Sequence, residues 1–222
     1  IGQNFGPVGT PVQLVYGSSS SYGTEYEAQD CIIVQDFVKM KCLSAPGIGK
    51  DNRIAIVVGD QRSDNSEITI SYGRPTISSI SGHLGAPITN LKTSGGERVY
   101  INGSNFPSVG QADVIVTYGH YGTEFVATRC RILVAGISIV CLTTEGYGHE
   151  HAWKVSIGES SSMLSEDLSS YQVPIISFLR GPGIINANTR GEETIFVHGL
   201  NLFGDSLKLT YGPSGIEYEA ID

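Results

Sequence analysis

The sequence predicts an all-β chain made of tandem sandwich repeats, each about 100 residues long. Three observations carry that expectation. No segment sustains a helical period, while 28 glycines among 222 residues punctuate short runs of Val, Ile, Thr and Tyr. Two cysteine pairs share one spacing, since Cys31 and Cys42 lie 11 residues apart and so do Cys130 and Cys141. A constant offset of 99 also relates Gly47 to Gly146, Gly49 to Gly148, Gly59 to Gly158, Tyr72 to Tyr171 and Pro75 to Pro174. An offset held over some 45 residues means that both copies keep the same strand lengths.

In chain order, the first copy opens with Gly2-Gln3-Asn4-Phe5, which matches Gly103-Ser104-Asn105-Phe106. Val15-Tyr16-Gly17 matches Thr117-Tyr118-Gly119, and Tyr26-x-Ala28-x-x-Cys31 matches Phe125-x-Ala127-x-x-Cys130. A third copy starts late: Thr189-Arg190-Gly191 through Val197-His198-Gly199 aligns with Thr93-Ser94-Gly95 through Ile101-Asn102-Gly103 at an offset of 96. Tyr211-Gly212 and Tyr218-Glu219-Ala220 then follow the same pattern. The expected domains are 1–72, a repeat lacking its N-terminal part; 73–171, a complete repeat; and 172–222, the N-terminal half of a third. Ends that cut through repeats point to a longer array, or to partner copies that complete the ends by strand donation. The linkers Tyr72-Gly73-Arg74-Pro75 and Tyr171-Gln172-Val173-Pro174 are short and proline-stiffened, unlike Gly/Ser tethers.

The complete copy reads as strands near 76–81, 97–102, 112–118, 124–134, 137–142, 152–158 and 168–172. Val99 and Ile101 face inward while Tyr100 and Asn102 face outward, and Val114 and Val116 oppose Ile115 and Thr117. A hairpin centred on Ala135-Gly136 would pair Ile132 with Ile139 and Cys130 with Cys141. It would also put Cys130, Ile132, Val134, Ile137, Ile139 and Cys141 on one face. The first copy has Asp36-Phe37 at the turn centre, so a four-residue turn, Gln35 to Val38 and Val134 to Ile137, suits both copies. The cysteines then fall at a non-hydrogen-bonded pair, where side chains approach most closely and a disulfide fits. Seven strands in about 100 residues is the size of an immunoglobulin-like sandwich. The Cys…Trp…Cys spacing of antibody domains is missing, because the lone Trp153 follows both cysteines.

These residues resemble the IPT/TIG domain, an immunoglobulin-like fold of plexins and related receptors, fibrocystin-like proteins and some transcription factors. The resemblance rests on Pro75-x-Ile77-x-x-Ile80, Gly95-Gly96-x-x-Val99-x-Ile101-x-Gly103-x-x-Phe106, Val116-x-Tyr118-Gly119, the Cys130…Cys141 pair and Gly146-x-Gly148. The first copy carries the more typical Cys42-Leu43-Ser44-Ala45-Pro46-Gly47-Ile48-Gly49, where the second has Thr143-Thr144-Glu145 and no proline. The family serves adhesion, receptor and DNA-binding proteins alike, so the resemblance speaks to fold more than to role.

A net charge of −8 argues against nucleic acid as a partner, since phosphate binding needs a basic face. No apolar run has membrane-spanning length. A Cys-x10-Cys pair lacks the close spacing of structural zinc sites, so Cys31, Cys42, Cys130 and Cys141 read as two disulfides and place the chain outside the cell or in a lumen. His149-Glu150-His151 offers two imidazoles on one strand face but no third ligand, and reads as a solvated loop. Asp60, Asp64 and Asn65 form an acidic turn with the oxygen ligands calcium needs, but it does not match an EF-hand loop, and the second copy has Glu159-Ser160-Ser161 there. Gly47-x-Gly49 opens no helix and reads as a β-turn. No nucleophile elbow, metalloprotease helix or carboxylate pair appears, so neither catalysis nor a cofactor is expected. Asn102-Gly103-Ser104 is an N-glycosylation sequon on an outward position. Ser18, Ser19, Ser20, Ser21, Ser160, Ser161, Ser162 and the Ser169-Ser170 pair are candidates for O-linked sugar, against the plainer reading of polar loop.

The expected role is structural: a segment of an extracellular, disulfide-stapled array acting as stalk, filament or adhesive surface fibre. Its partners would be neighbouring copies of the same chain or other surface proteins, with covalent glycans. The alternative is the ectodomain of a plexin- or fibrocystin-like receptor that binds a protein ligand.

Overall fold

The computed structural model describes residues 2–204 and 207–220. Before residue 73 the described strands are β1 (Val12–Gly17), β2 (Tyr26–Glu27), β3 (Gln29–Gln35), β4 (Lys39–Leu43), β5 (Asn52–Val58), β6 (Gln61–Arg62) and β7 (Thr69–Ile70). One sheet runs β2-β1-β5-β6 with β7 also on β5, and β3–β4 is a separate hairpin. Phe5, Val12 and Ile33 form a small buried cluster between them.

Residues 76–161 carry β8 (Thr76–Gly82), β9 (Arg98–Phe106), β10 (Val114–Gly119), β11 (Phe125–Val126), β12 (Thr128–Val134), β13 (Gly136–Leu142), β14 (Ala152–Ile157) and β15 (Ser160–Ser161). They build two antiparallel sheets, β12-β13-β9-β8 and β11-β10-β14-β15. The two inner faces meet as an immunoglobulin-like sandwich. Val99, Ile101, Ile139 and Cys141 come from one sheet, and Val116, Tyr118, Trp153 and Val155 from the other. Each is at most 1% exposed, while Tyr100 and Asn102 sit half-buried on the outer face.

The strands differ from the sequence reading chiefly in four places: β9 runs on to Phe106 past the expected end at 102, β15 is an added strand, and two further expected strands change. The expected strand 124–134 divides at Ala127, whose N–H donates to the Val116 carbonyl at 2.9 Å. On either side the chain changes sheets, with β11 on β10 and β12 on β13. Residues 168–172 make only isolated bridges, His151 with Ser169 and Leu91 with Tyr171. Backbone hydrogen bonds to His151, Gly148, Ile88 and Leu91 hold this stretch without a continuous ladder, and the Ser169 hydroxyl adds by accepting the Trp153 indole N–H at 2.9 Å.

Beyond Pro174, β16 (Ile175–Arg180) pairs with β17 (Phe196–Leu200), and β18 (Thr210–Tyr211) with β19 (Tyr218–Glu219). None of the described residues from 172 to 220 is buried.

Candidate functional site

Both cysteine pairs are bonded, Cys31 to Cys42 and Cys130 to Cys141. Their Cα atoms lie 4.1 Å apart in each case, the close approach of a non-hydrogen-bonded pair. The register Ile132↔Ile139 and Arg131↔Val140 agrees with the hairpin arithmetic. Towards the turn it shifts: the last pairs are Val134↔Ser138 and Gln35↔Lys39, leaving three residues in each loop. The Val38 N–H still donates to the Gln35 carbonyl at 3.3 Å, so the tight turn sits where the first copy suggests, and a bulge on β3 and β12 precedes it. That bulge corrects the one-face expectation. Val134 and Ile137 are about half exposed (48% and 57%), because the shifted register turns them away from the core. A second bulge brackets the bridge, with Asp30 and Arg129 both in the left-handed region at φ 51° and 50°.

Each of the two disulfide-bonded copies also carries a pair of tyrosines joined through their hydroxyls. Tyr16 and Tyr72 share a hydroxyl–hydroxyl hydrogen bond, and the Tyr72 hydroxyl donates to the Ala45 carbonyl at 2.6 Å. Tyr118 and Tyr171 do the same around Thr144, whose carbonyl accepts from Tyr171 at 2.7 Å. Burial pushes the Tyr171 phenol far up, and the Tyr118 hydroxyl adds to the effect; Tyr72 is raised by the same two causes, with Tyr16 as its partner. These phenols are therefore neutral struts. The Gly-x-Gly turn is explained by the same packing: a Cβ at Gly47 or Gly146 would strike the Tyr72 or Tyr171 ring. Gly49 and Gly148 adopt φ of 90° and 93°, which only glycine takes freely.

His151 corrects the solvated-loop reading. It is 5% exposed, edge-on to Phe125 and Tyr171 with centroids 5.3 and 5.6 Å away. His149 remains on the surface beside Glu150. The two imidazoles do not converge, and no group of metal-binding side chains forms among the described residues. Asn65 accepts from Arg62 at 2.7 Å, which ties the Asp60–Asn65 turn to its own strand end.

The segments meet at two joints built alike. Asn105 Nδ2 donates to the Arg74 carbonyl at 2.8 Å, and Asn201 Nδ2 donates to the Val173 carbonyl at 2.9 Å. Both asparagines adopt left-handed φ, 60° and 58°, as Asn tolerates better than most residues. Gln111 Nε2 reaches the Pro46 carbonyl across the first joint at 2.9 Å, and Tyr147 packs 6.1 Å from the Phe203 ring across the second.

A third repeated device closes the loop after each Tyr-Gly. Glu25 accepts from the Ser18 N–H at 2.9 Å, Glu124 from the Tyr121 and Thr123 N–H groups at 2.8 and 2.9 Å, and Glu217 from the Ser214 N–H at 2.9 Å. All three carboxyls lie below the ordinary carboxylate range. The Ser18 N–H lowers Glu25 and the Ser214 hydroxyl lowers Glu217; for Glu124 the loop N–H groups outweigh the opposing cost of desolvation.

Of the sugar candidates, Asn102 is half-buried in mid-strand, its Nδ2 donating to Ser79 Oγ at 3.2 Å. Ser20 is exposed; Ser18, Ser21, Ser160 and Ser161 are intermediate; the side chain of Ser19 lies outside the described residues. Ser162 and Ser169 are buried, Ser162 between the Val155 N–H and the Met163 carbonyl and Ser169 under the Trp153 indole. Ser170 is only partly exposed.

A family model described as IPT/TIG domain matches residues 75–173. No curated protein matches the chain. The sequence pointed to the sandwich and the bridges, but not to Trp153, His151 or the joint asparagines as organising residues. Of the last, Asn105 had a signal in the Gly-x-Asn-Phe match with Gly2–Phe5, whereas Asn201 stands in Gly199-Leu200-Asn201-Leu202 and shares only the Gly-x-Asn part.

Proposed function

Residues 75–173 are an IPT/TIG domain, an immunoglobulin-like module of the adhesion and receptor type, and on that premise we propose that the chain is a stiff structural segment of an extracellular tandem array. The array comprises units at 1–72, 73–171 and 172–222, and serves as stalk, filament or adhesive surface fibre. The observation that carries this reading is the pair of equivalent joints, in which Asn105 and Asn201 hold the linker carbonyls of Arg74 and Val173. Flexible tethers would not need a latch, and the same latch twice supports modules stacked in one repeated geometry. The Glu-closed loops, present three times, support the same division.

Two disulfides in a small-cored β chain fit an oxidising compartment. Among the described residues no helix is long and apolar enough to cross a membrane. Partners in this reading are neighbouring copies and other surface proteins, with sugar on Asn102 and on exposed serines such as Ser20.

Negative-stain microscopy with small-angle scattering tests the reading. The wild-type chain gives rods of one length and curvature. Replacing both latches, Asn105→Ala with Asn201→Ala, removes about 1 kcal/mol from each joint and adds a bent population several-fold larger than in wild type. Wild-type particles already bent at random angles would overturn the stiff-array reading.

A further inference from the structure

Asn52 and His151 occupy matching places, 99 residues apart, at the start of β5 and just before β14. Both are buried, and each has one side-chain nitrogen without a hydrogen-bond partner, Asn52 Nδ2 and His151 Nδ1. Only the imidazole can take up a proton near neutral pH. His151 Nε2 lies 2.9 Å from the Tyr147 carbonyl. A carbonyl only accepts, so Nε2 carries the proton and Nδ1 is the bare nitrogen among the rings. Tyr118 from β10, Phe125 from β11 and Tyr171 enclose it, all tilted edge-to-face at 68–77°.

Few charges reach this pocket. Glu124, at the mouth of β11, favours a cation there, but its carboxylate is exposed and already accepts the Tyr121 and Thr123 N–H groups. His149 on the same turn opposes a second positive charge. The phenols of Tyr118 and Tyr171 are neutral, and Ser169 faces His151 through backbone hydrogen bonds. Burial is the largest influence, and it holds the imidazole below its ordinary range.

The Tyr147 carbonyl that receives His151 belongs to the turn whose side chain meets Phe203 in the next segment. We propose that His151 is an acid-triggered release for the second joint: a proton on Nδ1 drives the ring out of the aromatic pocket, breaks its bond to Tyr147 and frees Tyr147 from Phe203. The first joint has Asn52 and Ile48 at these places and carries no such trigger. Acidification therefore loosens one joint and spares the other. The inference needs only the Tyr147–Phe203 contact; it stands or falls separately from the extracellular array.

The sign follows from linkage. A folded-state imidazole held below its unfolded value of roughly 6.5 contributes stability above that pH, and the contribution is lost as pH falls through and below it. The test is an NMR titration of the whole chain from about pH 7.5 to about pH 5, across the imidazole range. It follows the His151 ring signal together with Tyr147–Phe203 cross-relaxation and that of Ile48 with Ile157, which line one cleft at the first joint, Ile48 packing against the central core there. Wild type loses the Tyr147–Phe203 signal several-fold, in step with His151 protonation, and keeps Ile48–Ile157. The His151→Asn variant, which adopts the residue of the first copy, keeps both signals throughout. The proposal is overturned if Tyr147–Phe203 survives full protonation of His151, if both joints loosen together, or if His151→Asn loosens over the same pH range. Should that variant not fold, the wild-type titration still decides, because the first joint is an internal control.

Discussion

Asn102 lies in the middle of β9, with Ser79 of β8 on one side and Ser138 of β13 on the other. Strand parity alone put it on the outer face, because Val99 and Ile101 are apolar at the alternate positions. Its bond to Ser79 Oγ at 3.2 Å is weak, so attaching a sugar to Nδ2 sacrifices about 1 kcal/mol or less. In material from a eukaryotic secretory host, release of N-glycans therefore lowers the intact mass by one glycan, and Asn102→Gln abolishes that change while the fold persists. Any residual sugar falls on exposed serines such as Ser20. An unmodified wild-type mass from such a host would remove Asn102 from the sites. Other residues were illegible for a physical reason. His151 sits among Gly148, His149 and Glu150, a polar run that reads as solvated. Its burial comes from Phe125 and Tyr171, each at least 20 residues away. Trp153 likewise counted only as misplaced for an antibody domain, yet it is fully buried, stacked 4.1 Å from Tyr118.

At the scale of elements, the disulfide hairpin was the most legible part of the chain, because pairing across a short loop is arithmetic. Its flaws were less so. A bulge costs one residue of register, and composition does not say which residue enters it; here Asp30 and Arg129 do, both with left-handed φ and both adjacent to a bridge cysteine. The bridge closes a short loop inside a hairpin that the ladder already holds. Chain entropy therefore sets its contribution at about 2–3 kcal/mol, the low end for disulfides. Because Cys141 is 1% exposed and packs in the main core, the Cys130→Ala, Cys141→Ala pair also loses sulfur packing there. We expect the central unit of that variant to unfold at lower denaturant by about 3 kcal/mol, with Trp153 fluorescence as the reporter. The matching Cys31, Cys42 pair, whose cysteines are only partly buried, should leave the Trp153 transition within about 0.5 kcal/mol. Equal loss from both variants would mean that the units do not unfold separately.

Across the whole molecule, burial is unevenly shared. Trp153, Tyr118, Ile101, Val99, Ile139, Val116 and Val155 are all fully buried in the central sandwich, whereas Phe5, Val12 and Ile33 make a far smaller cluster before it. Past Pro174 the described side chains are all partly or fully exposed, including Ile175, Ile176, Phe178 and Leu200 at 46–61%. Repeat matching placed three units of similar sequence along the chain, and it could not report this gradient, because burial depends on which strands face one another rather than on which residues recur. The gradient has a measurable consequence. Each fully buried large apolar side chain contributes about 1.5–3 kcal/mol relative to its exposed state, so opening the central unit is costly while separating β16 from β17 is nearly free. Native-state hydrogen exchange should therefore find the β9–β13 amides, such as those of Ile101 and Ile139, protected by at least about a thousand-fold more than those of Phe178 and Val197. The β1–β5 ladder should fall between the two, since Val12, Tyr16, Asn52 and Ala55 are buried there while most of their neighbours are only partly covered. Comparable protection in β16–β17 and β9–β13 would show that the exposed apolar face beyond Pro174 is covered in solution by another surface. A concentration series would then tell whether that surface is a second copy of the chain: protection that falls on dilution names a neighbouring copy, and protection independent of concentration names a contact within the chain itself.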